Sequence, residues 1–413
     1  MAKITNKIYL DYAAATPVDR EILKAMAPYF SDKFGNPSSI HSFGQETITA
    51  IDAAREKIAK LLNCRFNEII FTGSATEANN LAIIGLTKGL SEDQYDPIRA
   101  NRGMLFHIIS TEIEHESVLK PLKKLQKEGY EVTCLPVSKD GFIKISDLEK
   151  AIKNNTALIS VIYASNEIGT IQPIKEIGKF LEKINVKRKI AGLNKIYFHT
   201  DAVQALQFLE CRPSWLKVDL MTFSGHKIYA PKGIGCLFVR KGTPIRPIIF
   251  GGGQEFGLRS GTENVPYIIG LAKAVELVFK NRERTAAKML KLRNKLLNNI
   301  IKNNKSARLN GSFDPPTSLG TSSRLPNNIN IRFPGVSNET LLVSLDQSGM
   351  AISAGSACSA RAFGASHVLT AIGLTEKQAK ESIRITIGRN TTEAEIKEAS
   401  EVISKTIKKL KSI

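Results

Sequence analysis

The 413-residue chain has one tryptophan, and its five cysteines, Cys64, Cys134, Cys211, Cys236 and Cys358, stand apart with no C-x-x-C pair. An odd, scattered set argues against a disulfide framework and a structural zinc site, and fits a reducing compartment. No run approaches the roughly 20 apolar residues of a membrane-spanning helix, and residues 1–10 lack an apolar core of signal-peptide length. The expectation is a soluble, cytoplasmic protein. Acidic residues are the scarcer sign, 39 Asp and Glu against 58 Lys and Arg, for a formal net charge of +19. That excess permits nucleic acid, anionic lipid or an acidic protein as partner without choosing among them. Much of it lies in 282–305 and 397–411, where apolar residues recur at helical spacing and the bases fall between them, as on solvated helix faces. No recognition motif or aromatic interleaving accompanies the charge, so direct nucleic-acid binding is not expected.

With 42% hydrophobic and 23% charged residues, a chain of this length should form two or three compact units. From 43 to 239 short β-rich runs alternate with helical patterns, the signature of a mostly parallel sheet flanked by helices. Strands are expected over 68–72, 105–110, 131–135, 157–163, 196–199, 219–223 and 236–239, and helices over 45–62 and 117–128. Beyond 266 come a helix to 303, a loop rich in Pro, Ser and Gly over 310–326, and a smaller α/β set. That set reads as strand 328–333, helix 339–348, strand 382–387 and helix 392–410, with Thr392 and Glu395 as a capping box. Segments 89–103 and 187–194 read as polar surface insertions. The organisation expected is a large domain over 19–275 and a smaller one built from 1–18 and 276–413.

The richest stretch runs from Asp219 to Gly235, where an apolar strand enters Ser224-Gly-His-Lys227 and then a Gly- and Pro-containing loop. A lysine at the carboxyl end of a strand sits where open α/β sheets bind ligands. Partial desolvation lowers the pKa of such an amine and suits it to a Schiff base, although a lone loop lysine more often caps backbone carbonyls. Its company favours chemistry. Asp201 and Gln204 follow another strand end, where a carboxylate can pair with a protonated pyridine nitrogen and an amide can donate to a ring oxygen. Gly73-Ser-Ala-Thr76 runs from a strand into a helix whose backbone N–H groups and hydroxyls would cup one phosphate. Neither a Walker nor a dinucleotide loop is present. The six histidines show no i, i+4 metal spacing.

Taken in order, Ala75-Thr76-Glu77, Asn166-Glu-Ile-Gly169, Asp201-x-x-Gln204, Ser224-Gly-His-Lys227 and Arg259-Ser-Gly-Thr262 resemble the cysteine desulfurases of the class V, fold-type I pyridoxal-phosphate group. The resemblance runs from Tyr9-Leu-Asp-Tyr-Ala-Ala-Ala-Thr-Pro17 to the final helix. It implies a large domain with a mostly parallel seven-stranded sheet, a smaller C-terminal α/β domain, and a homodimer. It implies pyridoxal 5'-phosphate carried by Lys227, its ring held by Asp201 and Gln204 and its phosphate by Ala75, Thr76, Ser224 and His226. The facing subunit's Thr262 would complete the phosphate site. His115 would stack on the ring and serve as acid and base, and Arg384 with Asn166 would take the substrate carboxylate.

The small residues around Cys358, in Ser353-Ala-Gly-Ser-Ala-Cys358, suit a mobile surface loop, whereas Cys134 and Cys236 lie inside apolar strand patterns and read as packed and inert. The Cys358 loop resembles that of the group I, NifS/IscS-type enzymes, in which the cysteine receives sulfur as L-cysteine becomes L-alanine. The resemblance implies delivery to an acceptor protein such as an iron–sulfur scaffold or a tRNA-thiolation protein. Two departures bear on this. Gly364-Ala365 and Arg361 replace the family's usual loop residues, which bears on loop motion, and the chain ends at Ile413, leaving scaffold docking unassigned. A selenocysteine lyase or an aminotransferase of the same cofactor group is the alternative, and Cys358 separates them.

Overall fold

The computed structural model describes residues 7–93, 106–313, 323–355 and 365–412. Twelve strands are labelled in chain order. They are β1 (Ile8–Tyr9), β2 (Ile69–Thr72), β3 (His107–Thr111), β4 (Glu131–Leu135), β5 (Thr156–Ser160), β6 (Tyr197–Asp201), β7 (Leu220–Ser224), β8 (Gly235–Val239), β9 (Arg308–Leu309), β10 (Asn328–Arg332), β11 (Met350–Ala351) and β12 (Ser382–Thr386).

Seven strands form one sheet in the order β2-β8-β7-β6-β5-β3-β4. The run from β7 to β4 is parallel, and β8 is antiparallel to both of its neighbours. Both faces are buried, as helices on either side of a parallel sheet require. Ile70, Ile108, Leu158, Leu220 and Leu237 pack on one face, while Ile69, Phe71, Ile109, Ile159, Met221 and Phe238 pack on the other. Strand side chains alternate with period two, so consecutive apolar residues feed opposite cores. That is why these strands read as continuous apolar runs rather than alternating ones.

The helix Val265–Asn303 starts on the side-chain oxygen of Asn264, which accepts from Tyr267 N at 3.3 Å, and has Pro266 in its first turn. It packs against the helices Ser42–Leu62 and Glu393–Lys411. The latter opens with the expected capping box, Thr392 Oγ1 accepting from Glu395 N at 3.2 Å and Glu395 Oε2 accepting from Thr392 N at 2.7 Å. The smaller C-terminal α/β domain holds a three-stranded antiparallel sheet, β12-β10-β9. The amino-terminal β1 pairs in parallel with β11.

Three expectations need correction. Segment 187–194 does not begin as an insertion, because Lys187 to Ile190 form the last turn of the helix Ile174–Ile190. Cys134 is not packed, since β4 is an edge strand and Cys134 is exposed. Not all the basic residues are solvated. Arg293 is buried, donating to Leu325 O at 3.0 Å, and Arg55, Arg188, Arg324 and Arg384 are buried as well. Bases inside an apolar-periodic stretch can turn inward when a backbone carbonyl or a carboxylate waits there, which spacing alone does not reveal.

Candidate active site

Strands β2, β3, β5, β6 and β7 run in the same direction, so their carboxyl ends open on one edge of the sheet, where open α/β sheets bind ligands. The cavity there is lined by Ser74, Ala75, Thr76, His115, Asn166, Asp201, Gln204, Ser224, His226, Lys227 and Arg384, together with Ala13 and Ala14. Eleven positions spread over more than three hundred residues of chain thus meet in one place.

Lys227 ends the single 3₁₀ turn Gly225–Lys227 that follows β7. Its Nζ donates to Ala13 O and Ala14 O, both at 2.7 Å, and Gln204 Nε2 donates to Ala13 O at 3.0 Å. The amino-terminal segment is in turn tied down by Thr16, whose N and Oγ1 both donate to His226 O at 3.0 Å. Asp201, the last residue of β6, is buried. Its Oδ1 accepts from Val203 N at 3.0 Å and its Oδ2 from Asn79 Nδ2 at 2.8 Å.

Next to this carboxylate end lies a donor end. Ser74 caps the helix Ala75–Asn80, its Oγ accepting from Glu77 N at 3.1 Å, and Glu77 Oε2 accepts from Gly73 N at 2.9 Å. The turn is pressed against the start of β8, where a Cβ on Gly235 would lie 2.5 Å from the Ser74 carbonyl carbon. Ser224 Oγ and His226 Nδ1 are 2.9 Å apart. Burial, reinforced by Lys227 and Lys232, lowers the His226 pKa to about 4, so this imidazole is neutral at neutral pH.

The far wall comes from elsewhere in the chain. Arg384 of β12 is fully buried, with NH2 paired to Asp11 Oδ1 at 2.7 Å and NH1 donating to Asn166 O at 3.1 Å. Its Nε is buried with no hydrogen-bond partner among the described residues. Gly169, with φ +73°, lets the Asn166–Gly169 turn close on Asn328, whose Oδ1 lies 2.8 Å from where a Cβ would stand.

One expected residue, Thr262, is not in this cavity. Thr262 lines a separate depression of its own chain, beside Arg259, whose Nε donates to Glu77 Oε1 at 2.8 Å. Cys358, with Arg361 and Gly364, lies outside the described residues. Sequence reasoning in turn passed over four buried or half-buried partners. Asp11 lay within the quoted Tyr9–Pro17 motif without a role, Asn79 follows Ala75-Thr76-Glu77 by two positions, and Glu114 and Ser117 stand one and two positions from His115. Glu114 is fully buried, its Oε1 accepting from Thr111 Oγ1 at 2.8 Å and Ile162 N at 2.7 Å. Burial, aided by the charge of Asp201, raises its pKa to about 8. Its place just before a histidine in a strand-to-helix turn was the only sequence signal. Among the described residues no group of His, Cys, Asp and Glu is placed to hold a metal ion, and no helix is long and apolar enough to cross a membrane.

The donor set fits one particular kind of guest. A carboxylate at one end, hydroxyls and a helix start at another, and a primary amine between them match a phosphorylated pyridine aldehyde, with a buried guanidinium left for a second carboxylate. Residues 8–398 match the family model "Aminotransferase class-V". The chain is 44% identical to the cysteine desulfurase IscS of Dictyoglomus turgidum, over 99% of this chain and 96% of that protein. A solved "NifS-like protein" superposes with a TM-score of 0.85 at 35% identity, covering 98% of this chain and 100% of that one. A second solved structure, "SspA in complex with cysteine", gives a TM-score of 0.76 at 36% identity over 94% and 100% of the two chains.

Proposed function

From a chain that belongs to the class-V aminotransferase family and, within it, to the NifS/IscS-like cysteine desulfurases, we infer how the cavity divides the work. The activity is conversion of L-cysteine to L-alanine with release of sulfur as an enzyme persulfide, for iron–sulfur cluster assembly. The family implies pyridoxal phosphate, which when bound draws electrons away from the substrate's α-carbon. Lys227 is the residue to tether it, Asp201 and Gln204 to hold its ring, and Ala75, Thr76, Ser224 and His226 to hold its phosphate. The protein is a homodimer, and the partner subunit's Thr262 completes that phosphate site. Ile40, Phe34 and Phe250 stand largely exposed and give a second copy apolar surface to cover. The division of the chain into 19–275 and 1–18 with 276–413 belongs to the same reading.

Arg384 and Asn166 orient the substrate by its carboxylate, a task for which a planar guanidinium with two parallel donors is suited. The Lys227 amine would take the substrate's α-proton, and His115 would serve the substrate's sulfur side. A thiolate at Cys358 then forms an S–S bond as the substrate's C–S bond breaks. Carbon keeps the electron pair and gains a proton, leaving alanine, and the persulfide on Cys358 passes to a sulfur-acceptor protein, such as an iron–sulfur scaffold or a tRNA-thiolation protein.

The observation that carries this reading is the convergence on one cavity of Asp201 from β6, Ser224, His226 and Lys227 from the end of β7 and its turn, and Arg384 from β12. Substituting Lys227→Ala tests it. The purified variant should lose both desulfurase turnover and the visible absorption of tethered cofactor, and a variant that keeps a borohydride-reducible cofactor bond would refute Lys227 as the tether.

A further inference from the structure

His115 caps the helix Glu116–Lys127 with its own ring, Nδ1 accepting from Ser117 N at 3.1 Å. Ser117 Oγ lies 2.8 Å from the same Nδ1. Behind Ser117 stands Asn79, fully buried, whose Nδ2 is 2.8 Å from Ser117 Oγ and 2.8 Å from Asp201 Oδ2. The four side chains form a single file from Asp201 to His115.

Hydrogen positions along this file follow one from another. A carboxylate only accepts, so the Asn79 amide must turn its nitrogen toward Asp201, and Val203 N–H at Oδ1 marks the same carboxylate as an acceptor on its other oxygen. The second hydrogen on that nitrogen points at Ser117 Oγ. Asn79 Oδ1 has no partner among the described residues, so no competing acceptor bond turns the amide the other way. Ser117 Oγ therefore accepts from Asn79, and its one proton is left for His115 Nδ1. A backbone N–H, which is never anything but a donor, reaches the same nitrogen. Two donors at Nδ1 leave no room for a proton there.

We propose that His115 is held as the neutral tautomer protonated on Nε2, and so acts as a hydrogen-bond donor in the cavity rather than as a proton acceptor. Asn79 and Ser117 are the positioning residues that fix this state, and Asp201 anchors them at the other end. The proposal rests on the reading of His115 as a residue of the active cavity, and it sharpens that reading. A neutral imidazole fixed this way polarises a neighbouring atom but has no lone pair to offer, because the only one is engaged by Ser117. Removal of protons from substrate then falls to another group of the cavity, and the Lys227 amine is the base the same walls supply. The charged groups around the ring include Lys227 in the cavity, Asp201 at the end of the file, and Glu114 and Glu116 on either side in sequence, the first buried and pushed toward its neutral form.

The test is a nitrogen-15 measurement on cofactor-loaded protein carrying labelled histidine, with the His115 signals assigned by their absence in His115→Gln. Two-bond nitrogen–proton correlations tell the tautomers apart. At neutral pH the wild-type ring should show a proton on Nε2 alone, and a ring protonated on Nδ1, or on both nitrogens, would overturn the proposal. Ser117→Ala removes the hydroxyl donor, and Ser117→Thr restores it. The first should raise the Nδ1-protonated fraction and lower kcat several-fold with KM for L-cysteine unchanged, and the second should return both toward wild type. If Ser117→Ala leaves tautomer and kcat as they were, the file from Asp201 has no positioning role. A His115→Gln variant with undiminished desulfurase activity would remove the premise that His115 works in this site, and would leave the tautomer result standing.

Discussion

Asp201, Ser224, His226 and Lys227 reach the cavity from the ends of neighbouring strands, whereas Arg384 reaches it from β12 and is held by Asp11, 373 positions away in the chain. The first wall is set when one sheet forms, because each residue sits within a few positions of a strand whose register the buried faces dictate. The second wall depends on the amino-terminal segment docking across the sheet edge, since Asp11 supplies the carboxylate partner of Arg384. A site on two such walls can keep its cofactor end intact while its substrate end varies.

Substitutions on each wall should separate these roles. Asp201→Ala strikes the sheet-built wall, and kcat should fall by about 100-fold or more, the scale expected when a positioned carboxylate supporting the chemical step is lost. If the walls are as independent as they look, KM for L-cysteine should change little. Steady-state kinetics check both. Asp11→Asn strikes the other wall and should do the reverse. Arg384 loses its charged partner while staying buried, so KM should rise roughly tenfold, about 1.4 kcal/mol, with kcat nearly kept. Equal losses of kcat in both variants would mean that the two walls act as one.

Acid and base should affect them differently as well. Glu114 has a raised pKa in the folded protein, so the unfolded chain holds fewer protons than the folded one between the ordinary carboxyl value and about 8. Stability from this group is full below the unfolded value and declines as pH climbs through 8. Glu114→Gln should flatten that decline in melts followed across the range. His226 has the opposite bias. Its lowered pKa means that the unfolded chain takes up the proton first as pH falls, so stability should be lost from about 6.5 down toward 4. The smallest effect belongs to Cys134→Ser, on the exposed edge strand and outside the cavity lining. There the thiol pKa is raised by partial desolvation and by Glu114 and Glu112, so it is a poor nucleophile and activity should stay at the wild-type level.

How much of this was legible in the sequence follows the same division. The strands of the large sheet read within a few residues of their observed ends, because a strand buried on both faces leaves a continuous apolar run with turn residues at its margins. Lys227, Asp201, Gln204 and Ser224 could be found because each follows such a run directly. The Asn79–Ser117 contact could not, since it joins the helix Ala75–Asn80 to the start of the helix Glu116–Lys127, which only the sheet brings together. Nor could the Asp11–Arg384 pair, for nothing in either neighbourhood names the other. Cys134 misled for a related reason: its run is apolar, but the edge position that exposes it is a property of the strand order, and strand order is not written locally.

The central claim, that sulfur leaves L-cysteine for a thiol at position 358, is tested most directly by peptide-resolved intact mass spectrometry after brief incubation of the cofactor-loaded protein with L-cysteine. One added sulfur should appear on the peptide that contains Cys358 and vanish in Cys358→Ala together with alanine formation. Sulfur on the Cys134 peptide instead, or undiminished alanine and sulfide from Cys358→Ala, would contradict the account.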